Sequence, residues 1–307
     1  MNLINIKENT YYIKGGTNSG LYLFKDGTAL IIDPGLIGLR FKRIIKELEI
    51  NNIKLKFIVN THEHIDHYGS SLQFKMEYPS IKILASKDAK LYIENEDLFS
   101  KYIVGGRPNK FFDEFFNFST KYNYKEKLKI DEVLKEGTVY LNNDKFEIIE
   151  FKGHTSGSIG IMTKDRVLFI GDLLVGKEML NKYDFLFIYD INEYLKSLEK
   201  LKVIDFEYIV LGHSKNIITK EESYELIDNH KESIYKYLNQ IIIELEEPMG
   251  IEELLKKIII SNNLSCNYKE FYFYKSSLIS AISYLCDLDK IGYIIKDGQL
   301  LYYIQKK

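Results

Sequence analysis

Residues Thr61 to Gly69 read "THEHIDHYG" and set three histidines, a glutamate and an aspartate within six consecutive positions, in a chain that holds six histidines in all. Imidazole and carboxylate groups suit Zn, Fe or Mn rather than an ion selected by thiolate. Side chains on an extended loop alternate in direction, so His62 and His64 point the same way and can share one ion. Asp66 and His67, beyond the bend, can serve a second ion, whereas Glu63 points away from the metals. The spacing alone suggests two sites.

Two ions need more ligands than one loop provides, and three further candidates lie where predicted strands end. His154 falls in "GHTSGS" after "FEIIEF", Asp172 closes "VLFIGD", and His213 follows "YIVLG". Five of the six histidines thus stand at the carboxyl ends of predicted strands; only His230 sits in a helical stretch, and it is assigned no role. Gly153, Gly157, Gly171 and Gly212, beside the ligands, are expected to let the backbone turn tightly.

The elements that must carry these residues follow from periodicity. "GLYLFK" and "TALIID" flank the turn Asp26-Gly27, a hairpin pattern that stops at Asp33-Pro34-Gly35. Apolar residues at helical spacing from Leu39 to Ile50 predict a helix, and "KFIVN" is a short buried strand that runs into the histidine loop. "SLQFKMEY" predicts a helix, "IKILAS" a strand, and Asp88 to Asn95 a further helix. Residues 97–134 mix aromatic residues with charge and show no clean period, so they read as a partly helical insertion lining a pocket rather than as core. The strands "KFEIIEF", "GSIGIMT" and "RVLFIGD", a helix over Asn192 to Lys202, and the strand "EYIVL" complete this part. The order strand, helix, strand, histidine loop occurs twice, as expected of two related α/β halves that face each other.

From Glu221 to Glu246 the pattern is helical, a second helix follows Pro248, "YKSSLISAISYLCDLDKIG" makes a third, and two strands flank Lys296-Asp297-Gly298. At 307 residues two domains are expected: a catalytic one over 1–219 and a small winged-helix-like α+β one over 220–307. The 42 basic and 44 acidic residues leave a charge of −2, so no global excess draws the chain to nucleic acid or to an anionic membrane. The first residues hold no apolar h-region, and no apolar run approaches the roughly 18 residues of a membrane span, which predicts a cytoplasmic protein. Cys266 and Cys286 lack C-x-x-C spacing and read as two buried thiols.

Taken in order, "LIIDPG", "THEHIDHYG", "GHTSGSIGI", "FIGDLL" and "LGHS" resemble the metallo-β-lactamase superfamily across roughly residues 10 to 216. The resemblance implies an αββα sandwich with its site along one edge of the paired sheets. It also implies a ligand set: His62, His64 and His154 on a first metal, Asp66, His67 and His213 on a second, and Asp172 bridging the two. Two divalent ions, zinc first and iron or manganese as alternatives, held about 3.5–4 Å apart would lower the pKa of a bridging water towards neutrality. The resulting hydroxide is the nucleophile, and Asp66 is the candidate catalytic residue, orienting it or relaying a proton to the leaving group.

Fold does not settle substrate within this superfamily. Asp172 stands where many true β-lactamases have cysteine, and His64 where flavodiiron proteins have glutamate, so the reading turns away from both. Hydrolysis of a small ester or thioester, as in the similar hydroxyacylglutathione hydrolases, is the leading expectation. The C-terminal part is similar to that of β-lactamase-like protein 2, which makes single-strand endoribonuclease activity the alternative. Against RNA, and more so DNA, residues 220–307 hold 11 Lys, no Arg and 14 acidic residues, a net charge of −3. A third reading, a non-catalytic binding or regulatory scaffold, has no need of all seven ligands. The Tyr-rich C-terminal part, with Tyr272, Tyr274, Tyr302 and Tyr303, is read as packing or homodimer surface, and Tyr183 and Tyr189 receive no catalytic assignment.

Overall fold

Strands that are apolar on both faces require a covering layer on each side. In Thr28–Ile32, Leu30 and Ile32 belong to one buried layer while Ala29 and Ile31, on the opposite face, belong to another. The structure is a computed structural model that describes residues 3–116, 126–183 and 185–305. Its first sheet has the order β1 (Leu3–Lys7), β2 (Thr10–Ile13), β3 (Ser19–Leu23), β4 (Thr28–Ile32), β5 (Lys54–Val59), β6 (Lys82–Ser86) and β7 (Glu132–Leu134). Pairing is antiparallel from β1 to β4 and parallel from β4 to β7. The second sheet has the order β13 (Ile218–Thr219), β12 (Tyr208–Val210), β11 (Val167–Phe169), β10 (Ile159–Thr163), β9 (Asp144–Glu150) and β8 (Gly137–Leu141).

Leu30, Ile32, Phe57 and Val59 from the first sheet meet Phe146, Ile148, Ile161 and Phe169 from the second in one buried cluster. The outer face of the first sheet is covered by α1 (Leu39–Ile50), which buries Ile44 and Leu48 one turn apart, and by α3 (Ser71–Glu77) and α4 (Lys87–Glu94); the single turn α2 (Ile65–Tyr68) precedes α3. Helices α5 (Asp97–Val104), α6 (Lys110–Phe116) and α7 (Lys177–Lys182) lie in the connections. The second sheet is covered by α8 (Ile191–Val203), α9 (Lys220–Glu244), α10 (Ile251–Ser261) and α11 (Tyr268–Asp287), and the layers are therefore αββα. The internal repeat is present: β4–α1–β5 and β11–α8–β12 are both parallel pairs joined through a helix, and His62 and His213 follow their second strands.

After α11 the chain ends in a two-stranded sheet, β14 (Ile291–Lys296) with β15 (Gln299–Ile304). Three helices and this hairpin make up the C-terminal part. Its apolar residues do not form a separate core: Leu238, Leu254, Leu278 and Leu285 share one cluster with Leu168, Leu174, Leu198 and Ile209 of the second layer.

Four features differ from the sequence reading. The end of the 97–134 stretch is core, because Leu128 and Ile130 are buried against the first sheet and Glu132–Leu134 pairs with β6; residues 117–125 of that stretch lie outside the described residues. Strands β1, β2 and β8 had no distinct pattern. Helix α11 starts at Tyr268, six residues earlier than its apolar period, because Asn267 and Glu270 form a reciprocal capping box. Cys266 is exposed and Cys286 half-buried, not two buried thiols, since one precedes the α11 cap and the other lies in its last turn. Among the described residues no helix is long and apolar enough to cross a membrane.

The Phe146 ring, fully buried between the sheets, lies 4.9 Å from Tyr22 edge to face. Truncation by Phe146→Ala is expected to destabilise the chain by about 3–5 kcal/mol in urea unfolding, and a loss under about 1 kcal/mol would contradict this packing.

Candidate metal centre

Beyond β5 the chain bends through Thr61 and His62 and is extended at His64, and the one-turn helix α2 then brings Asp66 and His67 back beside them. The His62 ring is 4.7 Å from that of His64 and 4.1 Å from that of His67. His154, on the loop after β9, places Nε2 3.0 Å from His64 Nδ1. Asp172, after β11, sets Oδ1 3.3 Å from His67 Nε2, and Oδ2 3.4 Å from His213 Nε2 and 3.7 Å from His154 Nε2. His213, after β12, lies 3.1 Å from Asp66 through Nε2 and Oδ2. All seven sequence candidates therefore meet at one end of both sheets, in two groups that Asp172 touches in common.

Hydrogen bonds behind the rings decide which nitrogen faces inward. Asp33 accepts from the Thr61 N–H at 2.7 Å and from Thr61 Oγ1 at 2.6 Å, so Oγ1 is left to accept from His62 Nδ1 at 3.0 Å. His67 Nδ1 bonds the same Asp33 carboxylate at 2.8 Å, His154 Nδ1 bonds Phe187 O at 3.1 Å, and His213 Nδ1 bonds Gly16 O at 2.7 Å. Each of these four rings thus donates outward through Nδ1 and turns Nε2 into the cluster. Asp33 was missed as a functional residue because it was read as a strand stop in "LIIDPG", although a carboxylate at a strand end is the pattern that identified Asp172. Asn18, also unanticipated, donates to Leu211 O at 3.1 Å and Ser214 O at 2.8 Å and braces the His213 loop.

Two glycines have distinct reasons. A Cβ on Gly212 would lie 2.3 Å from Asp172 Oδ1 and 2.6 Å from the His67 ring, so close packing on the ligands, not turning, excludes a side chain there. Gly153 has φ +123 and presses against the Tyr194 backbone, which suits glycine on both counts. Glu63 stands outside the cluster, as its phase implied. It is buried, accepts from Thr155 Oγ1 at 2.9 Å, and is raised to about 7 by that burial.

Burial lowers the pKa of His62 and His154 and takes that of His64 to about 3, so these rings are neutral. For His67 burial acts downward as well, yet the carboxylates of Asp172, Asp66 and Asp33 outweigh it and raise the ring to about 10. Asp172 is the main cause of the rise of His213 to about 12, against the opposing effect of burial. Burial acts upward on Asp66 and Asp172, but the facing imidazoles of His67 and His213 hold both well below the usual carboxylate range. In the metal-free chain two protonated rings thus sit where positive charge is needed.

The donors fit divalent metal. His62 Nε2, His64 Nε2, His67 Nε2 and Asp172 Oδ1 are buried and make no hydrogen bond within the described residues, a costly state that bound cations would relieve. His62, His64, His154 and Asp172 form one group able to hold an ion, and Asp66, His67 and His213 another. Asp33 also lies near His62 and His67, but its oxygens are engaged by Thr61 and by the Nδ1 side of His67, so it orients rather than ligates.

Comparison with known proteins agrees with the fold. The model of the metallo-beta-lactamase superfamily matches residues 12–213. Hydroxyacylglutathione hydrolase 1 of Vibrio vulnificus (strain YJ016) is 28% identical over 221 residues, covering 66% of this chain and 71% of its own. Hydroxyacylglutathione hydrolase of Prochlorococcus marinus (strain MIT 9312) is 25% identical over 262 residues, 82% of this chain and 88% of its own. A beta-lactamase domain protein from Burkholderia ambifaria superposes with a TM-score of 0.77 over 99% of this chain and 93% of its own at 13% identity, which shows the shared fold. The chain belongs to the metallo-beta-lactamase superfamily. It is a metal-dependent hydrolase of that class, and its clustered His and Asp side chains make up a divalent-metal site.

Uptake of a cation must displace the protons of His67 and His213. Metal affinity is therefore expected to climb with pH from 6 towards about 10, with proton release measurable by calorimetry in buffers of different ionisation enthalpy. Asp33→Asn, which weakens the bond that orients His67, is expected to lower metal affinity about 10–100-fold in a competition titration with a chromophoric chelator.

Proposed function

We propose that the chain hydrolyses a small ester or thioester at a pair of divalent ions, zinc first among candidates. His62, His64 and His154 would hold one ion, Asp66, His67 and His213 the other, with Asp172 shared. The observation that carries this reading is the Asp172 carboxylate, which faces His154 of the first group and both His67 and His213 of the second. Likeness to two hydroxyacylglutathione hydrolases supports the substrate class. When bound, the ions supply Lewis acidity that polarises a scissile carbonyl and acidifies water.

The chain's own residues provide orientation and proton transfer. Asp66 is ionised, partly open to solvent, and fixed by a 3.1 Å hydrogen bond from Thr17 Oγ1. In this reading it orients a water against the substrate and passes a proton to the departing group. An open cleft lined by Lys14, Met179, Lys182, His213 and Lys215 gives the substrate access on the second side. On the first side the rings of Phe99 and Phe187, 5.1 and 5.5 Å from His64, keep water from the imidazoles. RNA fits less well, since the C-terminal part is net negative.

Protein purified without chelators is expected to carry two ions per chain and to turn over members of a panel of thioesters and lactones. Chelation should abolish turnover and added metal restore it, while Asp66→Asn should lower kcat by about 10²–10⁴-fold. Thioester hydrolysis that survives chelation overturns the proposal, and cleavage of unstructured RNA with an inert thioester panel reassigns the substrate.

A further inference from the structure

The loops that carry His154 and Asp172 are held from outside the sandwich as well as by its strands. Ser277, buried on α11, accepts from the Ile188 N–H at 3.0 Å, and its one hydroxyl proton faces Leu186 O at 3.0 Å and Phe273 O of its own helix at 3.2 Å, so the hydroxyl brackets Phe187. Phe187 O is the acceptor that receives His154 Nδ1. Next along the helix, Ser280 accepts from the Ile191 N–H at 2.9 Å. The bracketed stretch then returns to the ligand loop, with Tyr189 N–H donating to His154 O at 3.3 Å and Asp190 N–H to Gly153 O at 3.0 Å. Helix α11 therefore fixes the carbonyl that makes His154 present Nε2 inward.

A second tie comes from α9. His230 is buried, donates through Nδ1 to Leu226 O at 2.8 Å, and through Nε2 accepts from the Val175 N–H at 3.0 Å. Burial lowers its pKa to about 4, so the ring is neutral and remains an acceptor. Val175 is three residues beyond Asp172, and the next residue, Gly176, donates its N–H to His213 O at 2.9 Å. One imidazole on the C-terminal part thereby anchors the loop that joins Asp172 to the backbone of His213.

We infer that Ser277 and His230 are positioning residues of the metal centre, through which the C-terminal helices set the orientation of His154, Asp172 and His213. The inference rests on the ligand assignment above. It gives the C-terminal part a role in metal binding without placing any of its side chains on the ions. Outer partners of metal ligands typically change affinity about 10–100-fold when removed, because a misaligned donor loses its bond to the ion.

The test is Co(II) binding to the full chain after metal removal, followed by visible absorption. Ser277→Ala and His230→Leu are expected to weaken Co(II) by about tenfold and to alter its spectrum. His230→Gln, which keeps an acceptor for Val175, should recover most of the affinity. Ser223→Ala, which removes a buried hydroxyl bonded to Lys220 O in its own helix, should leave both affinity and spectrum unchanged. Wild-type affinity and spectrum in Ser277→Ala and His230→Leu overturn the inference. If His230→Leu does not fold, Ser277→Ala and His230→Gln decide it. A wild-type chain that binds no Co(II) overturns the ligand assignment instead, so the two failures are distinct.

Discussion

The buried carboxylate of Asp172, facing three imidazoles, is the charge on which the rest of the structure depends. A carboxylate withdrawn from water is tolerated only beside positive charge or strong donors, and this one has imidazole nitrogens within 3.3–3.7 Å of its two oxygens. The carboxylates raise the basicity of two of those rings, His67 and His213, so that they supply the charge as imidazolium in the metal-free chain, while burial suppresses His62, His64 and His154. Asymmetry of this kind follows from position, since His67 and His213 lie closest to Asp66 and Asp172, whereas the remaining rings would repel one another if they were protonated.

Bringing such groups together demands rigid backbone at every approach. The two sheets provide it by ending on the same edge, and the parallel pairs β4–β5 and β11–β12 aim the loops of His62 and His213 from opposite sheets. Much of this was legible in the residues alone, because ligands at strand ends keep their chemical type and order while loops between them vary. Even the two-fold pattern of strand, helix, strand and histidine loop could be read, since a buried parallel strand is a short continuous apolar run.

What the residues did not disclose was whatever depends on a partner distant along the chain. Asp33 looks like punctuation until His67 and Thr61 are seen on its two oxygens. Gly212 looks like a turn until Asp172 and His67 are found against it. Strand β7 has only three residues and is defined by its pairing with β6, so periodicity over residues 97–134 could not separate it from the helical insertion. The early start of α11 is a different case: Asn267 and Glu270 stood in the sequence as a capping pair, but the apolar stripe alone placed the start at Tyr274.

The Asp33 carboxylate also joins the two halves of the centre. One of its oxygens, Oδ2, accepts from Thr61, which steadies His62, and meets His67 directly, so a ring assigned to each ion leans on a single atom. Neither ring can reorient without disturbing the other's support. If each ring holds the ion proposed for it, the conformational freedom lost in aligning them would be lost once, and the first ion would leave less disorder for the second to remove. Under the two-ion reading proposed above, filling of the pair would then be cooperative, through a residue that ligates neither ion.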